Sequence, residues 1–301
     1  MEVHVYGKYM NYKHIFHAGS FADVFKHAIL IRVLVHLRGK AAPFRVIDIH
    51  AGAGLYDLAS EEAGRTGEWR YGIARLFDAA LPPDAGALLA PYLAVVRSFN
   101  PDGALRHYPG SPLVVGHLLR PQDRLIACEL EPAAATALAH RLRAIRQSKA
   151  VEIDGWVALN AYVPPNERRG LVLLDPPYEQ PDDFARLAAG LAAAFRKWPT
   201  GTYMAWYPIK GRDGPDALAR AVQRSGIGKA LRLEMMVAAP DPDGRLAGCG
   251  LVMVNPPWRL QSEAEIVLGA LSGVLARGAR SVAIDWVAGG GDNQSVSSAP
   301  G

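Results

Sequence analysis

The residues with the clearest chemical potential form the tetrad Asp175-Pro176-Pro177-Tyr178, which follows the apolar run 171–174. The two prolines restrict the backbone and remove two N–H donors, so the Pro176 carbonyl can be held in one orientation. That carbonyl and the Asp175 carboxylate could both accept hydrogen bonds from one exocyclic amino group, which would make its nitrogen a nucleophile toward a sulfonium methyl group. Tyr178 offers an aromatic face to a base, and such stacking is worth about 1–3 kcal/mol. The alternative is a strand that simply ends in a Pro-Pro turn.

Three earlier apolar runs also end in acidic or glycine-rich segments. Gly52 and Gly54 follow the first run and let the backbone approach a ligand that a Cβ atom would exclude. Glu129 ends the second run, where a carboxylate can accept hydrogen bonds from ribose hydroxyls, and Glu131 competes for this role. Asp154 follows the third run, where it can accept from an adenine amino group. Each carboxylate alone is more often a helix cap or a solvated loop residue, but together they predict a nucleoside-shaped pocket that suits S-adenosylmethionine.

Two further patterns bear on this prediction. A dinucleotide site favours G-x-G-x-x-G, and Asp57 stands at the third glycine position, which disfavours a nicotinamide dehydrogenase. A second tetrad, Asn255-Pro256-Pro257-Trp258, contains the same chemical parts as the first. It follows the seventh predicted strand, which we place at a sheet edge away from the cofactor, so we interpret it as structural.

The elements that position these residues alternate between strand and helix. Seven strands with intervening helices predict an α/β fold with a seven-stranded, mostly parallel, doubly wound sheet covered on both faces. In such a sheet, ligands bind at the carboxyl ends of the strands. Turn residues separate the last two strands, which are therefore predicted to be antiparallel. The predicted strands are 44–49, 125–130, 151–153, 171–174, 202–207, 231–237 and 251–254, and the predicted helices include 20–38, a helix starting at Ser111, 132–147, 182–198, 213–225 and 262–277.

The segment between the first two large-sheet strands is predicted to be helical. Residues 55–110 show no clear strand, and helical stretches around 72–77 and 86–98 are separated by proline-containing breaks. We therefore predict an inserted helical subdomain at 56–107 within a methyltransferase domain formed by 10–55 and 108–288. Residues 1–9 are predicted to be a disordered leader, with Met10 as the candidate start, and the Gly- and Ser-rich residues 289–301 a disordered tail.

Composition excludes several classes of protein. The 301 residues are 50% apolar and 21% charged, and no run approaches the roughly 18 apolar residues of a membrane span. Two cysteines in apolar runs disfavour a disulfide scaffold or a cysteine zinc site and favour the cytoplasm. The net charge of +4 permits a nucleic-acid partner. Its basic residues are concentrated in residues 1–40, which are either a solvated face with a flexible leader or an edge that faces phosphates.

Six motifs of this sequence resemble the RlmJ family of large-subunit ribosomal RNA adenine-N6 methyltransferases. The resemblance covers about residues 10–287. It implies a Rossmann-like domain with an inserted helical subdomain, S-adenosylmethionine as methyl donor, and one adenine of 23S ribosomal RNA as target. The motifs are Asn11-Tyr12-Lys13-His14, Phe16-His17-Ala18-Gly19, Ala22-Asp23-Val24-Phe25-Lys26-His27, Asp48-Ile49-His50-Ala51-Gly52-Ala53-Gly54, Tyr108-Pro109-Gly110-Ser111-Pro112 and Asp175-Pro176-Pro177-Tyr178.

The resemblance also implies roles for individual residues. Asp175 corresponds to the family's catalytic acceptor, and we include Pro176, Pro177 and Tyr178 in the predicted catalytic set. Tyr12 corresponds to its substrate-side tyrosine, with His14 and Lys26 as neighbouring candidates. The structural alternatives are a core position for His27, a helix cap for Ser111 and a packing role for Tyr12. The implied cofactor contacts are His27, His50, Ser111, Glu129, Asp154 and Gly155, to which the glycine-rich turn adds Gly52 and Gly54.

Two other functions remain open from sequence. A DNA adenine-N6 methyltransferase would share the tetrad and the strand ends, although the chain shows no obvious extra domain for recognising duplex DNA. A non-catalytic RNA-binding module with a vestigial pocket is the other alternative, and the intact tetrad argues against it. We further expect a cytoplasmic monomer that uses no metal and contacts no membrane.

Overall fold

The computed structural model describes residues 14–240 and 246–289. Tyr12, the predicted leader 1–9 and the predicted tail from residue 290 lie outside these described residues. The disorder predicted for both ends and the choice of Met10 as the start therefore stay predictions.

The central element is an eight-stranded sheet with the order β10-β8-β9-β7-β6-β1-β4-β5, accompanied by a separate β2–β3 pair. Neighbouring strands from β5 to β7 are parallel. The chain runs outward from β1 to β4 and β5, then returns to β6 on the other side of β1, so strand order reverses between β1 and β6. The strands are β1 (Arg45–Asp48), β2 (Leu55–Asp57), β3 (His107–Pro109), β4 (Arg124–Glu129), β5 (Ser148–Glu152), β6 (Gly170–Leu174), β7 (Thr202–Ile209), β8 (Ala230–Met236), β9 (Gly248–Val254) and β10 (Ser281–Ala288).

The α/β fold with a mostly parallel sheet is confirmed, and all seven predicted strands are present. Strands β8 and β9 are antiparallel, as predicted. The sheet gains an eighth strand, β10, which pairs antiparallel with β8 at the sheet edge. Sequence analysis missed this strand because most of its side chains are partly exposed, so Val282, Ile284 and Trp286 form only a short apolar alternation.

Helices cover both faces of the sheet. One hydrophobic cluster joins the sheet to α1, α4, α5 and α10, and the other joins it to α7, α8 and α9. The predicted helix list lacked α7. The helices are α1 (Phe21–Arg38), α2 (Glu61–Thr66), α3 (Ile73–Phe77), α4 (Pro83–Ser98), α5 (Ser111–Leu118), α6 (Pro132–Leu142), α7 (Gly155–Tyr162), α8 (Asp183–Lys197), α9 (Asp213–Arg224) and α10 (Leu260–Leu275).

Helix α1 is buried on nearly every side, with 15 of its 18 residues out of contact with solvent. Its polar residues must therefore find partners inside the protein. Arg32 Nε donates to Glu263 Oε2 on α10 at 2.8 Å, and Lys26 is paired as described below. These two cations are internal, so for them both interpretations of residues 1–40, the solvated face and the phosphate-facing edge, are wrong.

Residues 56–107 contain α2, α3 and α4 and a short helix at Glu68–Tyr71. Strands β2 and β3 pair antiparallel across the two ends of this segment, so the expectation that 55–110 lacks strands is wrong. Each strand is only three residues long, which is too short for an alternating pattern to be visible in the sequence. Leu89 and Tyr92 of α4 belong to the same hydrophobic cluster as α1. The boundary of a separate subdomain stays a prediction.

None of the helices in the described residues has the length and apolar character that a membrane span requires.

Candidate active site

The carboxyl ends of β1 and β6 lie side by side, with Asp48 of β1 in register with Leu173 of β6. The residue that follows β6, Asp175, donates its backbone N–H to His50 Nδ1 at 3.2 Å. Burial lowers the pKa of His50 to about 4, so its imidazole is neutral near pH 7 and carries its proton on Nε2. This bond brings the Asp175–Tyr178 tetrad to the glycine-rich turn after β1, as the strand order in the sequence predicts.

A lysine of helix α1 contacts the Asp175 carboxylate. Lys26 Nζ lies 2.5 Å from Asp175 Oδ2 and 3.1 Å from Asp23 Oδ1. The Lys26 side chain is 6% exposed, whereas that of Asp175 is 17% exposed. Within residues 14–240 and 246–289, Asp175 Oδ1 accepts no hydrogen bond. One carboxylate oxygen is therefore fixed by the protein and the other remains available to a ligand.

Asp23 connects two of the predicted substrate-side residues. Its Oδ2 accepts from His14 Nε2 at 2.9 Å and from the Gly19 N–H at 3.0 Å. Burial opposes ionisation of Asp23, but His14 and Lys26 outweigh it and hold the pKa of Asp23 well below its usual value. A continuous polar chain thus runs from His14 through Asp23 and Lys26 to Asp175.

Glu129 at the end of β4 fixes the glycine-rich turn. Its Oε2 accepts from the Gly52 N–H at 2.8 Å, and its Oε1 accepts from the N–H groups of Leu130 and Glu131, both at 2.9 Å. A carboxylate offers about four lone-pair sites, so one site remains for a ribose hydroxyl while all three bonds are kept. Glu131 has a different role, because it caps α6 through the N–H groups of Ala133 and Ala134.

The turn itself has the backbone conformation that glycine favours. Gly52 and Gly54 have φ angles of 63° and 85°, in the left-handed region. A Cβ atom on Gly52 would lie 2.3 Å from the Tyr56 hydroxyl oxygen. The two glycines therefore let the chain turn sharply past Glu129 and keep the space above β1 open.

Asp154 and Gly155 form the start of α7, next to His50. Asp154 Oδ1 caps this helix by accepting from the N–H groups of Trp156 and Val157 at 2.8 and 3.0 Å. Asp154 Oδ2 lies 3.8 Å from an Arg186 nitrogen. A Cβ atom on Gly155 would lie 2.2 Å from the Ile49 carbonyl oxygen, so only glycine fits this close approach to the β1 turn. Asp154 is thus a helix cap that keeps one oxygen for another partner.

Asp48 is a fully buried carboxyl group beneath the site. The Ser111 hydroxyl donates to Asp48 Oδ2 at 2.6 Å, and the His50 N–H lies 3.3 Å from Asp48 Oδ1. Burial, reinforced by the charge of Asp175, raises the pKa of Asp48 to about 7. Ser111 is the first residue of α5, and its side chain supports β1 rather than capping that helix.

Tyr178 adopts a left-handed φ of 53°. Its hydroxyl donates to the Trp206 carbonyl at 2.8 Å, and its ring centroid lies 4.9 Å from that of Phe184. Burial raises the pKa of Tyr178, which stays protonated at neutral pH. These contacts fix the position of the ring, while its stacking against a base stays a prediction.

Comparison with known proteins identifies the family. The family model described as "Ribosomal RNA large subunit methyltransferase D, RlmJ" matches residues 41–288. The chain belongs to the RlmJ family. It is similar to the ribosomal RNA large subunit methyltransferases J of Escherichia coli (39% identical over 92% of this chain and 99% of the relative) and of Haemophilus influenzae (37% over 92% and 99%). A crystal structure of a Legionella pneumophila protein is 34% identical with a TM-score of 0.82, covering 89% of this chain and 98% of the other.

In this RlmJ-family chain, His27 lies deeper than the other predicted cofactor contacts. It is 1% exposed, and its Nδ1 pairs with the Tyr108 hydroxyl at 2.8 Å. Burial lowers the pKa of His27 to about 3, so the ring is neutral. Its Nε2 has no hydrogen-bond partner among the described residues. These contacts fit a core histidine, and a direct contact between His27 and the cofactor stays a prediction.

The second tetrad, Asn255–Trp258, is remote from this site. Strand β9 is antiparallel to β7, so Asn255 comes at the amino end of the parallel strands, beside Thr202 at the start of β7. The Asn255 amide donates to the carbonyls of Pro199 and Gly201, both at 2.8 Å. Its predicted placement away from the cofactor is consistent with this geometry, but the predicted reason is wrong: β9 lies between β7 and β8, inside the sheet. Strand direction, rather than an edge position, separates the two tetrads.

Sequence analysis assigned no role to two residues of this site. Asp23 precedes Lys26 by three positions, a spacing that places both on one face of a helix. Asp48 is the last residue of β1, immediately before the glycine-rich turn. Both residues were visible in the motifs, but their burial, which makes them structurally important, depends on the packing of α1 and α5.

Proposed function

We propose that this chain transfers the methyl group of S-adenosylmethionine to the N6 amino group of an adenine in 23S ribosomal RNA, in the cytoplasm. The observation that carries the proposal is the convergence of the Asp175 tetrad with the ends of β1, β4 and β5 at one edge of the sheet. Family membership and the names of the two curated relatives support large-subunit ribosomal RNA as the substrate.

The residues present fit S-adenosylmethionine. Glu129 keeps one acceptor site for a ribose hydroxyl, and Asp154 Oδ2 is available to an adenine amino group. Leu130 and Val157 are exposed apolar side chains that follow these two acidic residues, and they can cover the faces of a purine. Gly52, Gly54 and Gly155 keep the backbone close to the ligand without obstructing it.

In the proposed reaction, Asp175 Oδ1 and the Pro176 carbonyl accept the two N6–H groups of the target adenine. The amino nitrogen then attacks the methyl carbon, the carbon–sulfur bond breaks, and its electron pair stays on sulfur. The resulting ammonium loses a proton to Asp175 or to water. Lys26 holds Oδ2, so the carboxylate is oriented before the adenine arrives, and preorganisation of this kind supplies much of the barrier reduction.

An adenine within a folded RNA must leave its stack to reach Asp175. Tyr178 belongs to the same tetrad as Asp175, and the chain of contacts from His14 through Asp23 to Lys26 ends at the Asp175 carboxylate. We therefore assign Tyr178 to stacking and the His14–Asp23–Lys26 chain to orienting Asp175. Tyr12 lies outside the described residues and is assigned to the substrate side by family resemblance alone.

The decisive experiment compares methyladenosine in 23S ribosomal RNA from cells with and without this protein by mass mapping. In parallel, purified protein is supplied with labelled S-adenosylmethionine and with deproteinised large-subunit RNA, small-subunit RNA or duplex DNA. Label in large-subunit RNA at adenine N6 supports the proposal, and preferential labelling of DNA would replace it with the DNA methyltransferase alternative. Calorimetry that detects no binding of S-adenosylmethionine would favour the non-catalytic RNA-binding module.

A further inference from the structure

The Asn255-Pro256-Pro257-Trp258 tetrad forms a second surface feature that the proposed reaction does not use. Trp258 is 76% exposed, which is unusual for the largest aromatic side chain. The guanidinium carbon of Arg259 lies 4.5 Å from the centroid of the Trp258 ring. Asn255, at the start of this loop, has a φ of 50°. Its side-chain amide donates hydrogen bonds to the carbonyls of Pro199 and Gly201, which fix the loop to the segment before β7. A rigid loop therefore presents an open indole to solvent.

A cavity of about 190 Å³ adjoins this tryptophan, and three of its lining residues have basic side chains. His36, Lys40 and Arg169 line it together with Pro257 and Trp258. In the described residues, Lys40, Arg169 and Arg259 form no ion pair with a carboxylate. Arg169 instead donates to the carbonyls of Leu37 and Ala42, which holds its guanidinium at the cavity wall.

Most of the charged groups that act on His36 at the cavity wall are cations. Partial burial lowers the pKa of His36, and the cations Arg169, Lys40 and Arg259 lower it further. Glu263 acts in the opposite direction, but its carboxylate accepts from Arg32 at 2.8 Å. Near neutral pH His36 is therefore mostly uncharged, and the positive potential comes from Lys40, Arg169 and Arg259.

This surface lies at the end of the sheet opposite to Asp175. Gly170, at the start of β6, lines the cavity, whereas Asp175 follows the end of the same strand. Helix α1 spans the same distance, with Lys26 at the catalytic end and Lys40 just beyond the other end. Fourteen residues at 1.5 Å per residue correspond to roughly 20 Å. A structured RNA can extend over such a distance, whereas one nucleotide cannot.

We propose that Trp258 and the basic cavity beside it form a distal RNA-binding site, in which an unpaired base stacks on the indole and an adjacent phosphate is held by Lys40 and Arg169. An exposed aromatic face beside unpaired cations is the combination that recognises single-stranded nucleic acid without reading its sequence. The site anchors the RNA about 20 Å from the target adenine. The inference rests on the proposed function only for the identity of the RNA.

The test measures binding of the full-length protein to deproteinised large-subunit RNA at fixed ionic strength. Trp258→Ala is expected to weaken binding about fivefold or more, because loss of one stacked base costs at least that much affinity. Trp258→Phe keeps an aromatic face and should stay within about twofold of the unmodified protein. Ile266→Ala is the matched control, because Ile266 is an exposed apolar residue on α10 outside the cavity.

The phosphate contact has its own measurement. Lys40→Ala should reduce the slope of log binding constant against log salt concentration by about 1, as expected for loss of one phosphate contact. Arg224→Ala, an exposed cation at the end of α9, is the control and should leave the slope unchanged. Equal urea-unfolding midpoints for all these variants show that the exposed substitutions leave the fold intact.

The outcomes separate this inference from the proposed function. Unchanged RNA affinity in Trp258→Ala overturns the distal site, even if the protein methylates the RNA. If Trp258→Ala binds deproteinised RNA normally but methylates ribosomal particles more weakly, the surface contacts a ribosomal protein, and this result also overturns the distal RNA-binding site. Conversely, Trp258-dependent binding without methyl transfer supports the distal site while the proposed function fails.

Discussion

Lys26 on α1 and Asp175 after β6 form a direct contact, with Nζ 2.5 Å from Oδ2, although 149 positions separate them in the chain. The contact arises because α1 packs over the sheet and its buried lysine requires an acidic partner. It connects the N-terminal segment to the residue that accepts the substrate amine in the proposed reaction. The Asp175 carboxylate is therefore oriented by an element from the N-terminal part of the sequence.

Replacing Lys26 by Met should destabilise the protein by about 3–5 kcal/mol, because Asp23 and Asp175 lose their shared cation. Urea unfolding measures this loss, and methyl transfer should fall as well. The double variant Lys26→Met with Asp175→Asn should recover part of the stability without recovering activity. Full stability together with full activity in Lys26→Met would contradict the proposed role of this pair.

The two tetrads should respond differently to substitution. Asp175→Ala should reduce methyl transfer to 23S ribosomal RNA about 100-fold or more, since it removes an acceptor that acts on the reacting nitrogen. Asn255→Ala should retain much of the activity at saturating RNA but lose about 2–4 kcal/mol of stability, because two hydrogen bonds disappear and alanine disfavours a φ of 50°. Activity assays and urea unfolding of both variants test this, and the reverse pattern would overturn the assignment of the catalytic tetrad.

Asp175→Asn tests whether Asp175 accepts the proton that the methylated amino group loses. Asparagine keeps an oxygen that can orient the amine but is a much poorer proton acceptor than a carboxylate. Substantial single-turnover methyl transfer by this variant is expected if Asp175 only orients the adenine. If Asp175→Asn loses as much methyl-transfer activity as Asp175→Ala, Asp175 is the group that accepts the proton.

The buried carboxyl of Asp48 should make stability depend on pH. Its pKa of about 7 in the folded chain lies above the unfolded value of about 3.9, so between these values the folded state holds a proton that the unfolded state has lost. The resulting stabilisation is complete below pH 4 and disappears as pH rises through 7, with a slope of about 1.4 kcal/mol per pH unit. Asp48→Asn should lack this slope while keeping an acceptor for Ser111. Parallel unfolding profiles for both proteins between pH 5 and 6.5 would show that folding does not raise the pKa of Asp48.

Gly155→Ala should displace the turn after β1, where we propose that S-adenosylmethionine binds. The added methyl group would lie 2.2 Å from the Ile49 carbonyl oxygen and 2.8 Å from His50 Nε2, so the turn after β1 must shift. We expect a loss of about 1–3 kcal/mol in stability and weaker binding of S-adenosylmethionine in calorimetry. Gly64→Ala is the control, because a Cβ atom there has no neighbour within 4 Å and alanine favours the helix α2. Normal cofactor affinity in Gly155→Ala would argue against a ligand at this turn.

The class of fold and the segments of the candidate site could be predicted from the sequence. Apolar runs followed by Gly52, Glu129, Asp154 and Asp175 were sufficient, because local periodicity reveals buried strands and parallel strands bring their carboxyl ends to one edge. Strand β10 and the β2–β3 pair escaped prediction because short or half-exposed strands leave little periodic signal.

Which polar residues contact one another could not be predicted from the sequence and is set by the packing of the folded chain. The contact between Lys26 and Asp175, the burial of Asp48 and the separation of the two tetrads all depend on how α1 packs and on the direction of β9. Both tetrads have the same local chemistry, so no local pattern could distinguish them. Strand direction and helix packing are set by the sum of many weak non-local contacts, and these appear only once the chain is folded.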